Sequence, residues 1–434
     1  MANSKEQFGS RFAAIAALAG SAIGLGCIWR FPYMVGENGG AAYIIIYMAA
    51  TLFLCIPIFI AEFVIGRRSG ANCLGAMRKL APGTPWKWLG ALCIITPVII
   101  LCYYSVVGGW SFAYLFKSFN LNFPDSFTSF SSLPWASLIA FIVYLAATCL
   151  IVAGGIKKGI AAFSRISIPI LFALIVFLAI YSITLKGSAP GIDYLFKPDW
   201  SKVEAGVVIN ALGQGFYSLS LGMGIIITYA SYISKQDDML LAGTGTAAFT
   251  LFFALLAGMA IMPAVFAAGI EPASGPGLIF DSLPFIFTSL SSTYPVLGTI
   301  VAVLFFFSVS IAALTSSISL VEVPVAWLIE EKGFRRGRAV LLVFVIGILG
   351  GVPCALNPVI FQSFDLLCCN VLLPLGGLLC VVFLGWKMKR SDVWDEFTNG
   401  GTLKLNMRLF GFVHFVLRYL APLAIAAIFI SNFI

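Results

Sequence analysis

Eleven long apolar stretches restrict the fold of this chain more than any other feature of its sequence. They cover roughly residues 12–35, 41–66, 89–116, 134–154, 163–185, 206–233, 240–269, 294–329, 339–354, 359–386 and 409–432. A transmembrane helix needs about 20 predominantly apolar residues. Only 10% of the residues are charged, whereas soluble domains carry about 25%. The sequence therefore predicts an all-helical polytopic membrane protein with eleven transmembrane helices.

The basic residues divide unevenly between the connecting loops. With the N-terminus placed in the cytoplasm, 20 of the 26 Lys and Arg residues fall in inner segments, four in outer loops and two within spans. Cytoplasmic loops carry an excess of Lys and Arg. The pattern predicts a multi-pass protein of the cell inner (plasma) membrane, with a cytoplasmic N-terminus and, because the number of spans is odd, an external C-terminus. It also accounts for the net charge of +8 without a nucleic-acid partner.

Two of the stretches contain a Gly-x-Gly near their middle, at Gly24–Gly26 and Gly222–Gly224. Glycine weakens a helix by roughly 1 kcal/mol relative to alanine, and unwound backbone at membrane depth is tolerated only where it lines a protein cavity. Close helix packing through small residues is the alternative. Each motif lies in the first stretch of a set of five, which favours two inverted repeats. We predict one transmembrane transporter domain over 1–434, with repeats at about 12–185 and 206–386 and a further helix at about 409–432.

A broken helix presents groups that bind ligands. Free N–H groups at the start of a half-helix attract an anion such as a carboxylate, and freed carbonyls can coordinate a hard cation such as sodium. Three adjacent hydroxyls, Thr315, Ser316 and Ser317, add oxygen atoms in the eighth stretch, although hydroxyls in membrane helices often bond back to the preceding turn. The sequence thus predicts a binding site at the breaks.

Ionisable residues inside membrane spans are costly and therefore indicate function. Arg30 lies about one turn beyond the first break and Asp365 near the outer start of the tenth stretch, so we expect them to form an outer gate pair. Lys5 and Glu330 lie towards the inner surface. Either they form an inner gate, or they are simply solvated charges at the membrane surface.

These residues fall in motifs that resemble the neurotransmitter:sodium symporter family, in particular its bacterial amino-acid transporters, from residue 8 to about 390. The motifs are Gly20–Tyr33, Glu37–Gly40, Gly213–Gln214 with Ser218–Gly224, Thr228–Tyr232 and Leu314–Ser317. The resemblance implies the leucine-transporter-like fold, in the eleven-span form seen among bacterial members. It also implies sodium-coupled secondary symport of an amino acid by alternating access.

Ion sites follow from the same resemblance. The family's second sodium site would use oxygen atoms of Gly20, Ile23, Ala312, Thr315 and Ser316. Its chloride ligands match at Tyr47, Gln214 and Ser218, but the last position aligns near Ala254. Chloride dependence is therefore in doubt.

The first sodium site implied by the resemblance is altered. It would use Ala22, Cys27, Ser218 and a residue of the seventh stretch that aligns with Thr250. Position 27 is usually asparagine, and a thiol is a poor ligand for a hard cation. We expect one sodium ion per substrate, or a second ion bound weakly, unless another oxygen such as the Thr246 hydroxyl or a water fills the gap.

The implied substrate site combines four spans. Its residues would be Ser21, Ala22, Gly24, Leu25, Gly26, Ile100, Tyr104, Tyr217, Ser218, Ser220, Met223, Ser316 and Leu320. Tyr104 would bond the substrate carboxylate, and Tyr217 would cover the substrate as a lid. Monoamine carriers place an aspartate at position 24, whereas Gly24 leaves space for a substrate that brings its own carboxylate. The apolar subsite of Ile100, Met223 and Leu320 favours a hydrophobic or aromatic amino acid.

Two other functions stay open. A proton-coupled amino-acid carrier on the same scaffold would use Glu62 or Glu322, which lie deep within spans. A non-transporting amino-acid sensor is the second alternative. We expect no enzyme activity, because no nucleophile–base or metal constellation appears, and no obligate protein partner.

Overall fold

The structure, a computed structural model, describes residue 8 and residues 11–131, 133–271 and 278–431. These residues form helices and loops, with no β-strand among them. The helices are α1 Arg11–Ala22, α2 Gly26–Glu37, α3 Ala41–Ser69, α4 Cys73–Leu80, α5 Lys87–Ser118, α6 Phe127–Ser131, α7 Trp135–Ala153, α8 Ile156–Ile183, α9 Ala189–Phe196, α10 Ala205–Ser218, α11 Ile225–Ala230, α12 Met239–Ala267, α13 Leu283–Thr293, α14 Pro295–Lys332, α15 Arg336–Leu356, α16 Pro358–Lys387, α17 Arg390–Thr398 and α18 Lys404–Ser431.

Within the described ranges, nine helices are long and apolar enough to cross a membrane, or ten if α1 and α2 count as one bent span. They correspond to ten of the eleven predicted spans. The sixth predicted span, 206–233, is instead divided between α10 and α11, and neither of these is long enough to cross a membrane by itself. The all-helical, multi-pass fold is confirmed, and the count of eleven spans stays a prediction.

The longest helices form a packed centre. The 38-residue α14 lies along α5, and α7 and α15 pack against both of them. On the other side of the molecule, α12 packs along α8 and also contacts α1 and α3. The two broken helices lie between these groups, because α1 contacts α8, α12 and α14, and α11 contacts α3 and α14.

Close backbone contact fixes the second half of the broken helix pair α10–α11. A methyl group added to Gly66 of α3 would lie 2.1 Å from the Ile227 carbonyl oxygen of α11. We expect Gly66→Ala to lower the thermal unfolding midpoint of the detergent-purified protein, because overpacking costs about 1–3 kcal/mol. The matched control is Gly245→Ala in α12, whose added methyl has no heavy atom within 4 Å and should be neutral or stabilising. Equal midpoints for the two variants would contradict this packing.

One end of the helical bundle, which we call the basic end, is fastened by arginines at the end of α3. Arg67 is buried, and its Nε donates to the Glu396 Oε1 at 2.6 Å while its Nη2 donates to the Glu396 carbonyl at 2.7 Å. Arg68 pairs with Asp392 and Asp395 at 2.8 and 2.9 Å. These contacts join α17 to α3. The ends of α14 and α15 that carry Lys332 and Arg336 lie at the same end of the bundle.

Candidate functional site

The first break lies between α1 and α2, whose axes differ by 70°. The Ile23 N–H still donates to the Ala19 carbonyl, but the Gly24 N–H donates to the Ala22 carbonyl at 3.1 Å, so the regular helical hydrogen-bond pattern ends at Gly24. A methyl group on Gly24 would lie 2.7 Å from the Ser316 Oγ and 2.9 Å from the Tyr104 hydroxyl oxygen. Only glycine therefore fits at position 24, because Ser316 and Tyr104 lie too close for a side chain.

The second break lies between α10 and α11. Gly222 and Gly224 have φ values of +80° and +72°, which glycine adopts without the steric cost that other residues incur. Ser220 has φ +54° despite its side chain, and its hydroxyl donates to the Ser21 carbonyl at 2.9 Å. The two predicted breaks therefore meet in space through Ser220 and Ser21.

A cavity of about 40 Å³ lies where the two breaks face α5 and α14. It is lined by Ser21, Ala22, Gly24, Gly26, Cys27, Ile100, Tyr104, Tyr217, Ser218, Ser220, Met223, Ile225, Ser316 and Leu320. Twelve of the thirteen residues of the predicted substrate site are among them. The thirteenth, Leu25, donates its N–H to the Tyr104 hydroxyl at 3.2 Å. The cavity is smaller than the roughly 150 Å³ that accommodates benzene, so an amino acid fits only if side chains such as Tyr217 and Met223 move.

The Tyr104 hydroxyl lies at the start of α2. It accepts the Leu25 N–H and is hydrogen-bonded to Ser316. The first N–H groups of a helix and its dipole favour an anion at this position. The arrangement can therefore bind a carboxylate between the phenol and the start of α2.

Oxygen atoms of the predicted second sodium site converge beside this cavity. The Thr315 Oγ1 lies 3.0 Å from the Ala312 carbonyl oxygen and 3.4 Å from that of Ile23. The Ser316 Oγ lies 3.4 Å from the Gly20 carbonyl oxygen and 3.5 Å from that of Ile23. Oxygens that bind a hard cation at about 2.4 Å lie roughly 3–3.5 Å from their neighbours. The donor set and its spacing therefore fit a sodium ion.

The residues of the predicted first sodium site already bond to other groups. The Cys27 thiol donates to the Ala22 carbonyl oxygen at 3.6 Å. This carbonyl is itself one of the predicted sodium ligands. The Thr250 hydroxyl donates to the Thr246 carbonyl at 2.8 Å, and the Ser218 Oγ accepts from Gln214. The buried Thr246 hydroxyl has no hydrogen-bond partner in the described part of the chain, which keeps the alternative that it supplies an oxygen.

The residues that match chloride ligands are buried together. Tyr47 is hydrogen-bonded to Ser218, which also accepts from the Gln214 amide at 3.0 Å. Ala254 is buried and offers only a methyl group. A chloride ion at this position would therefore lack the fourth donor that the resemblance implies.

The two residues of the predicted outer gate are not paired in the described part of the chain. Among the described residues, Arg30 and Asp365 make no ion pair with each other: the Arg30 guanidinium lies 5.5 Å from the Tyr217 ring centroid, and the Cys369 thiol donates to Asp365 at 3.5 Å. Arg30 and Tyr217 border a cavity of about 250 Å³ on the side away from the basic end. The closed outer gate stays a prediction, because this structure has the two side chains apart.

At the basic end, the Glu330 Oε2 accepts the backbone and side-chain N–H groups of Asn72, at 2.7 and 3.0 Å. Lys5 lies outside the described residues. Glu330 therefore links α14 to the start of α4, and its pairing with Lys5 stays a prediction.

The two deep carboxylates have different environments. Glu322 forms an ion pair with Arg336 and accepts a hydrogen bond from the Tyr232 hydroxyl at 2.8 Å. Glu62 accepts the Gly222 N–H at 2.6 Å and so holds the second break. Its Oε2 is buried without a hydrogen-bond partner among the residues that the structure describes.

A multi-pass membrane protein with two broken helices around an apolar cavity and a cage of oxygen atoms has the architecture of an ion-coupled transporter. The Sodium:neurotransmitter symporter family matches residues 5–133 and 121–434, and the chain belongs to this family.

Individual relatives agree with this assignment. The chain is 35% identical to an uncharacterized sodium-dependent transporter, YhdH, of Bacillus subtilis, over 98% of this chain and 97% of the relative. It is 34% identical to an uncharacterized sodium-dependent transporter of Haemophilus influenzae, over 99% and 98%. The crystal structure of MhsT in complex with L-phenylalanine is similar with a TM-score of 0.88 and 40% identity, over 99% of this chain and 100% of that chain.

Proposed function

We propose that this protein is a sodium-coupled symporter of a hydrophobic or aromatic amino acid. The observation that carries the proposal is the position of Ser316. Its hydroxyl belongs to the oxygen cage and also lines the cavity beside Tyr104. A cation in the cage would fix the Ser316 hydroxyl and the first break, so that each ligand favours binding of the other.

The proposed transport cycle is alternating access. The basic end faces the cytoplasm, because Lys and Arg concentrate in cytoplasmic loops. Helices α10 and α11 together count as an eleventh, broken span, which completes two inverted five-helix repeats. Arg30 and Asp365 close the outer side when substrate is bound, and Glu330 with Lys5 closes the inner side.

The proposed substrate class depends on three features. Gly24 leaves the space beside Tyr104 free for a carboxylate. The side-chain subsite is formed by Ile100, Met223 and Leu320, all of them buried and apolar, and Met223 can adapt to several side chains. The similar protein MhsT was crystallised with L-phenylalanine. These features favour phenylalanine and comparable amino acids.

The test is uptake of radiolabelled amino acids into proteoliposomes that contain the purified protein. We expect an inward sodium gradient to drive accumulation of the labelled substrate. Uptake that follows a proton gradient and ignores sodium would overturn sodium coupling. Saturable binding without uptake under either gradient would indicate a sensor.

Sodium stoichiometry gives a separate prediction. We expect a Hill coefficient near one for sodium in substrate binding, because the Cys27 thiol is a poor ligand for a hard cation. The thiol also donates to the Ala22 carbonyl, which is another predicted ligand of the same site. Cys27→Asn should restore an amide oxygen, tighten sodium binding and steepen its concentration dependence. The coupling ratio is measured from the reversal potential.

The matched control for this prediction is Cys27→Ser, which replaces sulfur with a hydroxyl of similar size and no amide. We expect it to lie between the wild type and Cys27→Asn. A wild-type ratio of two sodium ions that Cys27→Asn leaves unchanged would contradict the prediction, and would point to Thr246 or a water as the missing ligand.

Proton-coupled uptake is a second candidate, and one observation favours it. Glu62 is fully buried, and one of its oxygens has no partner within the described ranges while the other holds Gly222. A carboxyl group in such a place can gain and lose a proton as the second break moves. If protons drive transport, Glu62→Gln should remove the response of uptake to a pH gradient while substrate binding persists.

A further inference from the structure

An apolar groove opens between α5, α14 and α15, separate from the substrate cavity, with a volume of about 340 Å³. Its walls include Ala91, Ile95, Trp327, Leu342 and Ile346. Ile95, Leu342 and Ile346 are 52%, 37% and 39% exposed, so the groove is open at the surface of the bundle. The volume exceeds twice the roughly 150 Å³ that accommodates benzene, which gives room for a length of hydrocarbon chain.

Three exposed cations, which we call the basic collar, border this groove at the basic end. They are Lys87 of α5, Lys332 of α14 and Arg338 of α15. Each cation is four residues from a groove residue of its own helix, so the cation and that groove residue lie on the same face of the helix. The Lys332 ammonium lies 5.7 Å from the ring centroid of Trp327, a groove residue. In the described part of the chain, no ion pair joins any of the three to a carboxylate.

The groups around the basic collar do not neutralise its charge. They also indicate that it lies at a membrane interface. The closest acidic residue in sequence, Glu331, is already paired with Arg78. Trp88, beside Lys87, is 69% exposed, and its ring lies 5.5 Å from the Lys87 ammonium. Exposed Trp residues are enriched at the headgroup layer. A phosphate at the collar would therefore meet a positive surface at the depth of the headgroup layer.

We propose that this groove binds an anionic phospholipid, with one acyl chain in the groove and the phosphate among the basic collar. An apolar groove that ends in cations without an ion pair among the described residues matches a lipid with a negative headgroup, whereas a zwitterionic headgroup carries its own compensating cation. The proposal goes beyond sodium and amino-acid transport and holds whichever leaflet the basic end faces.

The experiment titrates the full chain in detergent with phosphatidylglycerol or with phosphatidylcholine of the same acyl chains, and counts bound lipid by native mass spectrometry. We expect one phosphatidylglycerol to bind preferentially and to raise the thermal unfolding midpoint. Lys87→Gln with Arg338→Gln should weaken its binding about 25-fold, because each cation near the surface adds roughly a factor of five. The matched control, Lys404→Gln with Arg408→Gln, removes two exposed cations of α18, a helix that packs elsewhere.

A second pair of variants tests the groove itself. Ile346→Trp should fill the groove and reduce phosphatidylglycerol binding, whereas Leu349→Trp, at a 70% exposed position of the same helix, should not. Equal binding of both lipids would overturn the proposal, as would equal losses from the collar and control pairs. Binding that survives Ile346→Trp would show surface attraction only, which also overturns it.

Discussion

Replacing Thr315 and Ser316 together with alanine is expected to abolish sodium-dependent substrate binding. The two hydroxyls supply two of the five oxygens in the cage, and they lie 3.0–3.5 Å from the carbonyl oxygens of Gly20, Ile23 and Ala312. Bonds to a charged group are worth about 1.5–3 kcal/mol each. Loss of both should raise the sodium dissociation constant more than 100-fold, as measured by sodium titration of substrate binding.

A set of single variants separates sodium binding from substrate contact, because Ser316 takes part in both. Thr315 does not line the substrate cavity, and its Cβ packs against Gly20. Thr315→Val keeps the shape and removes the oxygen, whereas Thr315→Ser keeps the oxygen and loses a methyl. We expect Thr315→Val to weaken sodium binding and Thr315→Ser to retain it. Equal affinities for these two variants would show that the Thr315 hydroxyl does not bind the ion.

The sequence predicted the two helix breaks, because local chemistry determines the backbone there. The Gly24–Gly26 and Gly222–Gly224 motifs predicted two breaks, because only glycine tolerates the close approach at Gly24 and the positive φ at Gly222. The contact between the two breaks through Ser220 could not be predicted from the sequence. Ser220 has a positive φ without being glycine, and no local pattern signals that conformation.

Long-range partners were the main features that sequence reasoning missed. Arg67 follows the second apolar stretch and is one of the 20 basic residues of the inner segments, yet it is buried against Glu396, 329 residues away. Glu62 was predicted only as a candidate proton site, but its bond to Gly222 also fixes the second break. A single sequence contains no signal for such pairs, because the helix packing that joins them is set by the whole fold.

Conformational state also limits prediction from sequence. Arg30 and Asp365 have the charges and depth of a gate pair, and the structure has them apart. The proposed gate would exchange between paired and unpaired arrangements, and a sequence alone does not indicate which of the two a structure has. The same reasoning applies to the 40 Å³ cavity. Its lining residues fall in the sequence motifs, whereas its size depends on the positions of side chains such as Tyr217.

The second large effect is expected from Gly24→Asp, which should eliminate binding of amino acids. The new carboxylate would lie beside the Tyr104 hydroxyl, 2.9 Å from the position of the added Cβ, where the substrate carboxylate is proposed to bind. Two carboxylates about 5 Å apart at an effective dielectric of about 20 repel by roughly 3 kcal/mol, which weakens binding more than 100-fold. Equilibrium binding of labelled phenylalanine measures the effect.

Size and charge must be separated, because any side chain at position 24 meets the Ser316 Oγ at 2.7 Å. Gly24→Asn has the shape of aspartate without its charge, so the difference between the two variants reports repulsion alone. Phenethylamine, which has the ring and the ammonium group of phenylalanine but no carboxylate, should lose less affinity in Gly24→Asp than phenylalanine does. If Gly24→Asp and Gly24→Asn lose affinity equally for both ligands, the substrate carboxylate does not lie beside Gly24.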